Sequence, residues 1–107
     1  MKRSIIRYKV KPDRVSENEQ LVGAVYEELN RKRPDGIRYA TFRLDDGVSF
    51  VHGVSIETAD GENPLSQIEA FARFTENVRD RCEEPPVVNG LEEIGSYRLF
   101  GAEGDLA

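Results

Sequence analysis

His52 is the only histidine in the 107-residue chain. Imidazole titrates nearest neutrality of all side chains, so proton chemistry here has one first candidate. His52 lies in Gly36–Thr58 (GIRYATFRLDDGVSFVHGVSIET), two β-rich runs joined by Asp45-Asp46-Gly47. A two-residue loop at Asp46-Gly47 pairs Arg43 with Phe50, Thr41 with His52 and Tyr39 with Val54; a three-residue loop shifts this by one. In the first register His52 is a candidate catalytic residue, a general base or hydrogen-bond donor at the floor of a pocket. The plainer reading is a half-buried histidine bonded to a neighbouring hydroxyl. Tyr39 and Thr41 are candidate substrate-binding neighbours. A phenol in an apolar pocket can hold a carbonyl or phenolate oxygen, or can pack with its hydroxyl at the edge; Tyr8 and Tyr97 raise the same alternatives. Phe71 and Phe74 complete the candidate substrate-binding set. Phe71 is core or ligand platform, while Phe74 falls about 60° outside its helix stripe, at a pocket mouth or against a partner subunit.

Other chemistries lack their residues. Cys82 has no local base to activate it and reads as a small buried apolar side chain. With one His, one Cys and no HxH or CxxC spacing, no metal site is expected. No phosphate-binding glycine loop, nucleophile elbow or dinucleotide fingerprint occurs, and no cofactor is expected. Glu17, Glu19, Glu27 and Glu28 read as solvated charge on a helix face.

These candidates need elements to hold them. Ser4–Lys11 alternates apolar and basic residues as a strand. Ser16 and Glu19 have capping-box spacing before a helix running to about Arg33, with Leu21, Val22, Val25 and Leu29 as its stripe. After the hairpin and a polar loop (59–64), a second helix is predicted from about Leu65, with Asn63 as a cap and Ser66/Glu69 as a second capping box. Its expected stripe is Ile68, Phe71, Ala72, Thr75, Val78 and Cys82. Glu83-Glu84-Pro85-Pro86 should end it, residues 85–90 should form a connection, and the last strand is expected at about Glu93–Phe100. Residues 1–101 then form a single domain, with a flexible tail at 102–107.

Composition sets the class. Hydrophobic residues at 38% and charged residues at 33% suit a soluble globular chain. A net charge of −5 argues against nucleic acid as partner. One cysteine fits a reducing compartment. The basic N-terminus lacks a following apolar segment, and no apolar run approaches membrane length. A cytoplasmic protein without membrane association is the expectation.

The element order is α+β: a ferredoxin-like β-α-β-β-α-β chain with a four-stranded antiparallel sheet and both helices on one face. Ile37, Tyr39, Phe50, His52, Val54 and Ile56 form the helix-covered side of the hairpin. Its other side carries Ala40, Phe42, Leu44 and Val51, too apolar to face water alone. Stacking two copies sheet to sheet as a homodimer is the simplest cover.

In length, element order and strand character, over about Ser4–Gly101, the chain resembles the dimeric α+β barrel superfamily, including the antibiotic-biosynthesis-monooxygenase-like domains. That resemblance implies a ligand pocket between sheet and helices. It also implies activities ranging from cofactor-independent monooxygenases to isomerases, dehydratases and haem-degrading enzymes. The haem-degrading branch uses a histidine on the second helix and a tryptophan, and this chain has neither. A small aromatic or apolar ligand follows from the resemblance; the alternative is a non-catalytic ligand-binding or structural homodimer.

Overall fold

The computed structural model describes residues 1–99. Strand β1 (Lys2–Val10) leads through a 3-10 turn into helix α1 (Val15–Lys32). Strands β2 (Ile37–Arg43) and β3 (Ser49–Ile56) form the hairpin. A second 3-10 turn (Pro64–Gln67) precedes helices α2 (Glu69–Glu76) and α3 (Val78–Arg81), and strand β4 (Cys82–Leu91) closes the order. The strands make one antiparallel sheet in the order β2-β3-β1-β4, the ferredoxin-like arrangement expected.

The hairpin takes the first register: Thr41 faces His52, Tyr39 faces Val54 and Arg43 faces Phe50. Asp46 fixes the turn. Its carboxylate accepts from the backbone N–H of Val48 (3.0 Å) and Ser49 (2.8 Å) and from the Ser49 hydroxyl (2.6 Å). Gly47 takes a φ of 80°, which a residue without Cβ adopts cheaply. These bonds, the Ser49 hydroxyl foremost, lower the Asp46 pKa to about 2.

The covered face of the sheet carries Tyr8 and Val10 from β1 with Phe50 and His52 from β3, all buried. Val25 and Asn18 of α1 and Ala70 and Phe74 of α2 close over them. The helices meet through an unexpected cap. Glu28, only 5% exposed, accepts from the backbone N–H groups of Glu69 and Ala70 at the start of α2 and from Lys32 Nζ. The bond from Lys32, then that from Ala70, holds its pKa down at about 2. Glu28 is therefore not solvated helix-face charge. Asn63 caps as expected, accepting from the Leu65 N–H, but neither serine does: α1 has no side-chain cap, and Ser66 Oγ donates to the Asn63 carbonyl.

The largest correction concerns β4. The last strand is Cys82–Leu91 rather than Glu93–Phe100; residues 93–99 are irregular, and Phe100, the expected domain limit at 101 and the expected tail lie outside the described residues. Pro85-Pro86 reads as a breaker, yet among the described residues β4 pairs only with β1 at the sheet's edge, and the ladder shifts register between Arg7–Val87 and Lys9–Glu84, so the two prolines sit in an edge irregularity that needs no N–H from them. The helical region ends correspondingly early, and Cys82 pairs with Val10 instead of closing a helix.

The other sheet face presents Ala40, Phe42, Val51, Ile5, Val87 and Leu91. Phe42 is 61% exposed and Val87 59%. A cleft of about 350 Å³ lies on this face, lined in part by Ala40, Phe42, Gly53, Leu91 and Leu99.

Candidate functional site

β3 carries His52 to the centre of the covered face, where it is 3% exposed. Both ring nitrogens have partners. Nε2 lies 2.7 Å from Tyr8 Oη, contributed by β1 next to β3. Nδ1 lies 2.6 Å from Tyr39 Oη and 3.3 Å from Thr41 Oγ1, contributed by β2 on the other side. The cluster extends both ways. Thr41 Oγ1 meets Tyr26 Oη of α1 at 2.8 Å. Asn18 Nδ2 donates to Tyr8 Oη at 3.0 Å, and Arg81 Nε donates to Asn18 Oδ1 at 3.1 Å. Arg81 Nη2 also donates to the Phe74 carbonyl at 2.8 Å, and its guanidinium stands over the Phe74 ring.

Rings fill the space around this chain. His52 centroids lie 5.3 Å from Tyr8, 5.7 Å from Tyr39 and 5.3 Å from Phe74. Phe71 contacts Tyr39 edge-on, and Tyr26 stacks on Tyr39 at 5.4 Å. Burial disfavours the charged ring and lowers the His52 pKa to about 4, so the imidazole is neutral near pH 7. Burial likewise raises the Tyr8 and Tyr39 hydroxyls far above the ordinary phenol value, leaving both as hydrogen-bond donors and acceptors rather than bases. Cys82 is buried with a raised pKa, also through burial, which disfavours the thiolate.

A cleft of about 340 Å³ opens between the end of α1 and the start of β2. Tyr26, Leu29, Asn30, Arg33, Ile37 and Tyr39 are among its lining residues. The stacked Tyr26–Tyr39 pair thus belongs both to this cleft and to the His52 cluster. Of the four clefts described, none is lined by His52 itself. Among the described residues no group of three or more His, Cys, Asp or Glu comes together, and no helix is long and apolar enough to cross a membrane.

The structure brings His52, Tyr39, Thr41, Phe71 and Phe74 into one region. Phe74 is 5% exposed and lies in the core, correcting its expected place at a pocket mouth or partner contact. The two ends that set the expected stripe lie outside the helices: Ile68 is an extended N-cap and Cys82 opens β4. Buried Ala70, Phe74 and Arg81 and half-buried Val78 share one helical face at i, i+4, i+11 and i+8, while Ala72 and Thr75 of the expected stripe are exposed. Tyr97 lies on no strand and is 81% exposed. Asn18, Tyr26 and Arg81 were not among the sequence candidates. Asn18 precedes Leu21, Val22 and Val25 at i+3, i+4 and i+7, and a polar residue on an apolar stripe was the available signal.

The fold is shared with solved structures described as antibiotic biosynthesis monooxygenases. The chain is similar to a crystal structure described as an antibiotic biosynthesis monooxygenase, with a TM-score of 0.67 and 15% identity over 89% of this chain and 100% of that one. Rv0793 from Mycobacterium tuberculosis gives a TM-score of 0.67 at 18% identity, covering 89% of this chain and 96% of that one. SnoaB, a cofactor-independent oxygenase from Streptomyces nogalater, gives 0.64 at 14% identity, covering 89% and 94%. At these identities the likeness establishes the fold. No protein-family model matches the sequence, and no curated protein matches it.

Proposed function

We propose that the protein is a homodimeric small-molecule enzyme of monooxygenase-like or isomerase-like type, acting on a small aromatic or apolar molecule without a tightly bound cofactor. The observation that carries this reading is the shared Tyr26–Tyr39 wall, which joins the cleft to the His52 cluster. A flat molecule lies against that wall. Tyr39 donates to an oxygen on which negative charge develops, and neutral His52 holds Tyr39 from behind. In this reading Tyr39 is the catalytic donor and His52 acts through it, while Thr41, Phe71 and Phe74 shape the cluster. A hydroxyl kept protonated in an apolar site stabilises such an oxyanion well. The likeness to SnoaB, described as a cofactor-independent oxygenase, supports an oxygenase over an isomerase.

The dimer stacks the two uncovered sheet faces. Phe42, Val87 and Leu91, each about half or more exposed on the two edge strands, supply apolar contact on either side of Ile5 and Val51. The cytoplasm is the proposed location.

The test is turnover of a panel of hydroxy-aromatic compounds in air, followed by product chromatography and an oxygen electrode. Wild-type protein should convert at least one member. Tyr39→Phe should lose roughly 10²–10³ in rate, the usual cost of one oxyanion donor. A second reading, a non-catalytic ligand-binding or structural homodimer, is favoured by the packing of three rings about His52 with no cleft at the imidazole. Absence of turnover across the panel supports that second reading.

A further inference from the structure

The hydrogen bonds around His52 have a direction, and it is set two residues away. Arg81 is 1% exposed and Asn18 is fully buried. A guanidinium can only donate, so the Asn18 atom facing Arg81 Nε at 3.1 Å must be its carbonyl oxygen. The amide nitrogen of Asn18 therefore faces Tyr8 and donates to Oη at 3.0 Å. Tyr8 Oη accepts that bond, and among the described residues the acceptor within reach of its own proton is His52 Nε2 at 2.7 Å. A neutral imidazole accepts at one nitrogen and donates from the other. Nδ1 then carries the hydrogen and gives it to Tyr39 Oη at 2.6 Å, with Thr41 Oγ1 as the longer alternative at 3.3 Å.

We propose that Arg81 and Asn18 are positioning residues that, through Tyr8, lock His52 as the Nδ1–H tautomer, so that Tyr39 accepts from the ring and is left to donate its own proton onward. The reverse tautomer would point Nε2–H at Tyr8 and leave the buried Tyr8 hydroxyl proton without an acceptor. Such a loss outweighs the small difference between tautomers in water. The device moves no net charge and needs no titration. It gives a role to an arginine buried in the core that, among the described residues, donates to the Asn18 amide and the Phe74 carbonyl: as a cation that can only donate, it permits one orientation of Asn18. The onward donation from Tyr39 rests on the catalytic reading above; the lock itself does not.

A single histidine makes the test direct. Long-range ¹H–¹⁵N spectra of the ¹⁵N-histidine-labelled full chain at pH 7.5, without ligand, report which ring nitrogen is protonated. The wild type should show roughly tenfold or greater excess of Nδ1–H, the order expected for one unmet buried hydroxyl. An averaged ring or an Nε2–H ring overturns the proposal. Asn18→Asp replaces the donating amide by an acceptor that still pairs with Arg81. Tyr8 should turn its proton to Asp, Nε2 should become the donor, and the tautomer should reverse; an unchanged ring overturns the role of Asn18. If that variant does not fold, Tyr8→Phe serves, and retention of the full Nδ1–H excess in it refutes the lock. Because no substrate enters these spectra, a failed lock leaves the cleft reading standing. A locked ring in a protein that turns nothing over counts against the catalytic reading alone.

Discussion

Lowering the pH should destabilise this protein through one side chain before any carboxylate takes part. His52 is 3% exposed and its pKa falls from an unfolded value near 6.5 to about 4 in the folded protein. Folding therefore favours the neutral ring. The corresponding stability is complete above the unfolded value and is lost as pH falls through the interval from 6.5 toward 4. At full protonation the loss amounts to about 3 kcal/mol, of which about 2 kcal/mol is gone by pH 5. That is a large share of the roughly 5–15 kcal/mol that holds a typical domain together. Glu28 and Asp46, both held near 2, lose their contributions only in the more acid range where carboxylates protonate. Urea unfolding at pH 7.5, 6.5, 5.5 and 5.0, at one protein concentration, should give a falling midpoint in the wild type. His52→Gln should give a nearly flat one over the same interval. A flat wild-type curve would show that the imidazole is not held neutral by its surroundings, and the description of the cluster would fail.

Other expectations follow from individual contacts. Phe74→Ala removes a ring packed against Tyr8, His52 and Phe71 and should cost about 3–5 kcal/mol in urea unfolding; a cost below 1 kcal/mol would mean that the helix does not pack as described. Phe42→Asp places a charge on the uncovered sheet face. Sedimentation velocity at micromolar concentration should find wild-type dimer and variant monomer, and a wild-type monomer would end the stacking proposal. Glu28→Gln should weaken the start of α2, read as faster hydrogen exchange at the Glu69 and Ala70 amides; unchanged exchange would remove Glu28 as a cap. Cys82, buried with a raised pKa, should react with a thiol reagent far more slowly in the native protein than in urea.

Local patterns made the centre of the fold legible. The alternation around Asp46-Gly47 marked the hairpin and its two faces but left two registers open; the Asp46 turn bonds select the one in which Thr41 faces His52. The end of the chain was not legible, because Pro85-Pro86 signals a break wherever a strand needs its N–H groups. Only the sheet order places those prolines at an edge. Phe74 was misplaced because the expected stripe was phased on Ile68 and Cys82, and both lie outside the helices. The Arg81–Asn18–Tyr8 arm was hidden for a different reason. Its members lie 63 and 10 residues apart in sequence, so their hydrogen bonds arise only once α1, α3 and β1 have packed.

The most direct test of the account is titration of the ¹⁵N-histidine-labelled protein with 1-naphthol and with 1,4-naphthoquinone, flat probes bearing a ring oxygen. The imidazole Nδ1 signal of His52 should shift saturably with at least one of them, and Tyr39→Phe should abolish the shift while the fold is retained. An imidazole that stays unmoved up to millimolar probe would contradict the claim that the cleft between α1 and β2 communicates with the buried histidine.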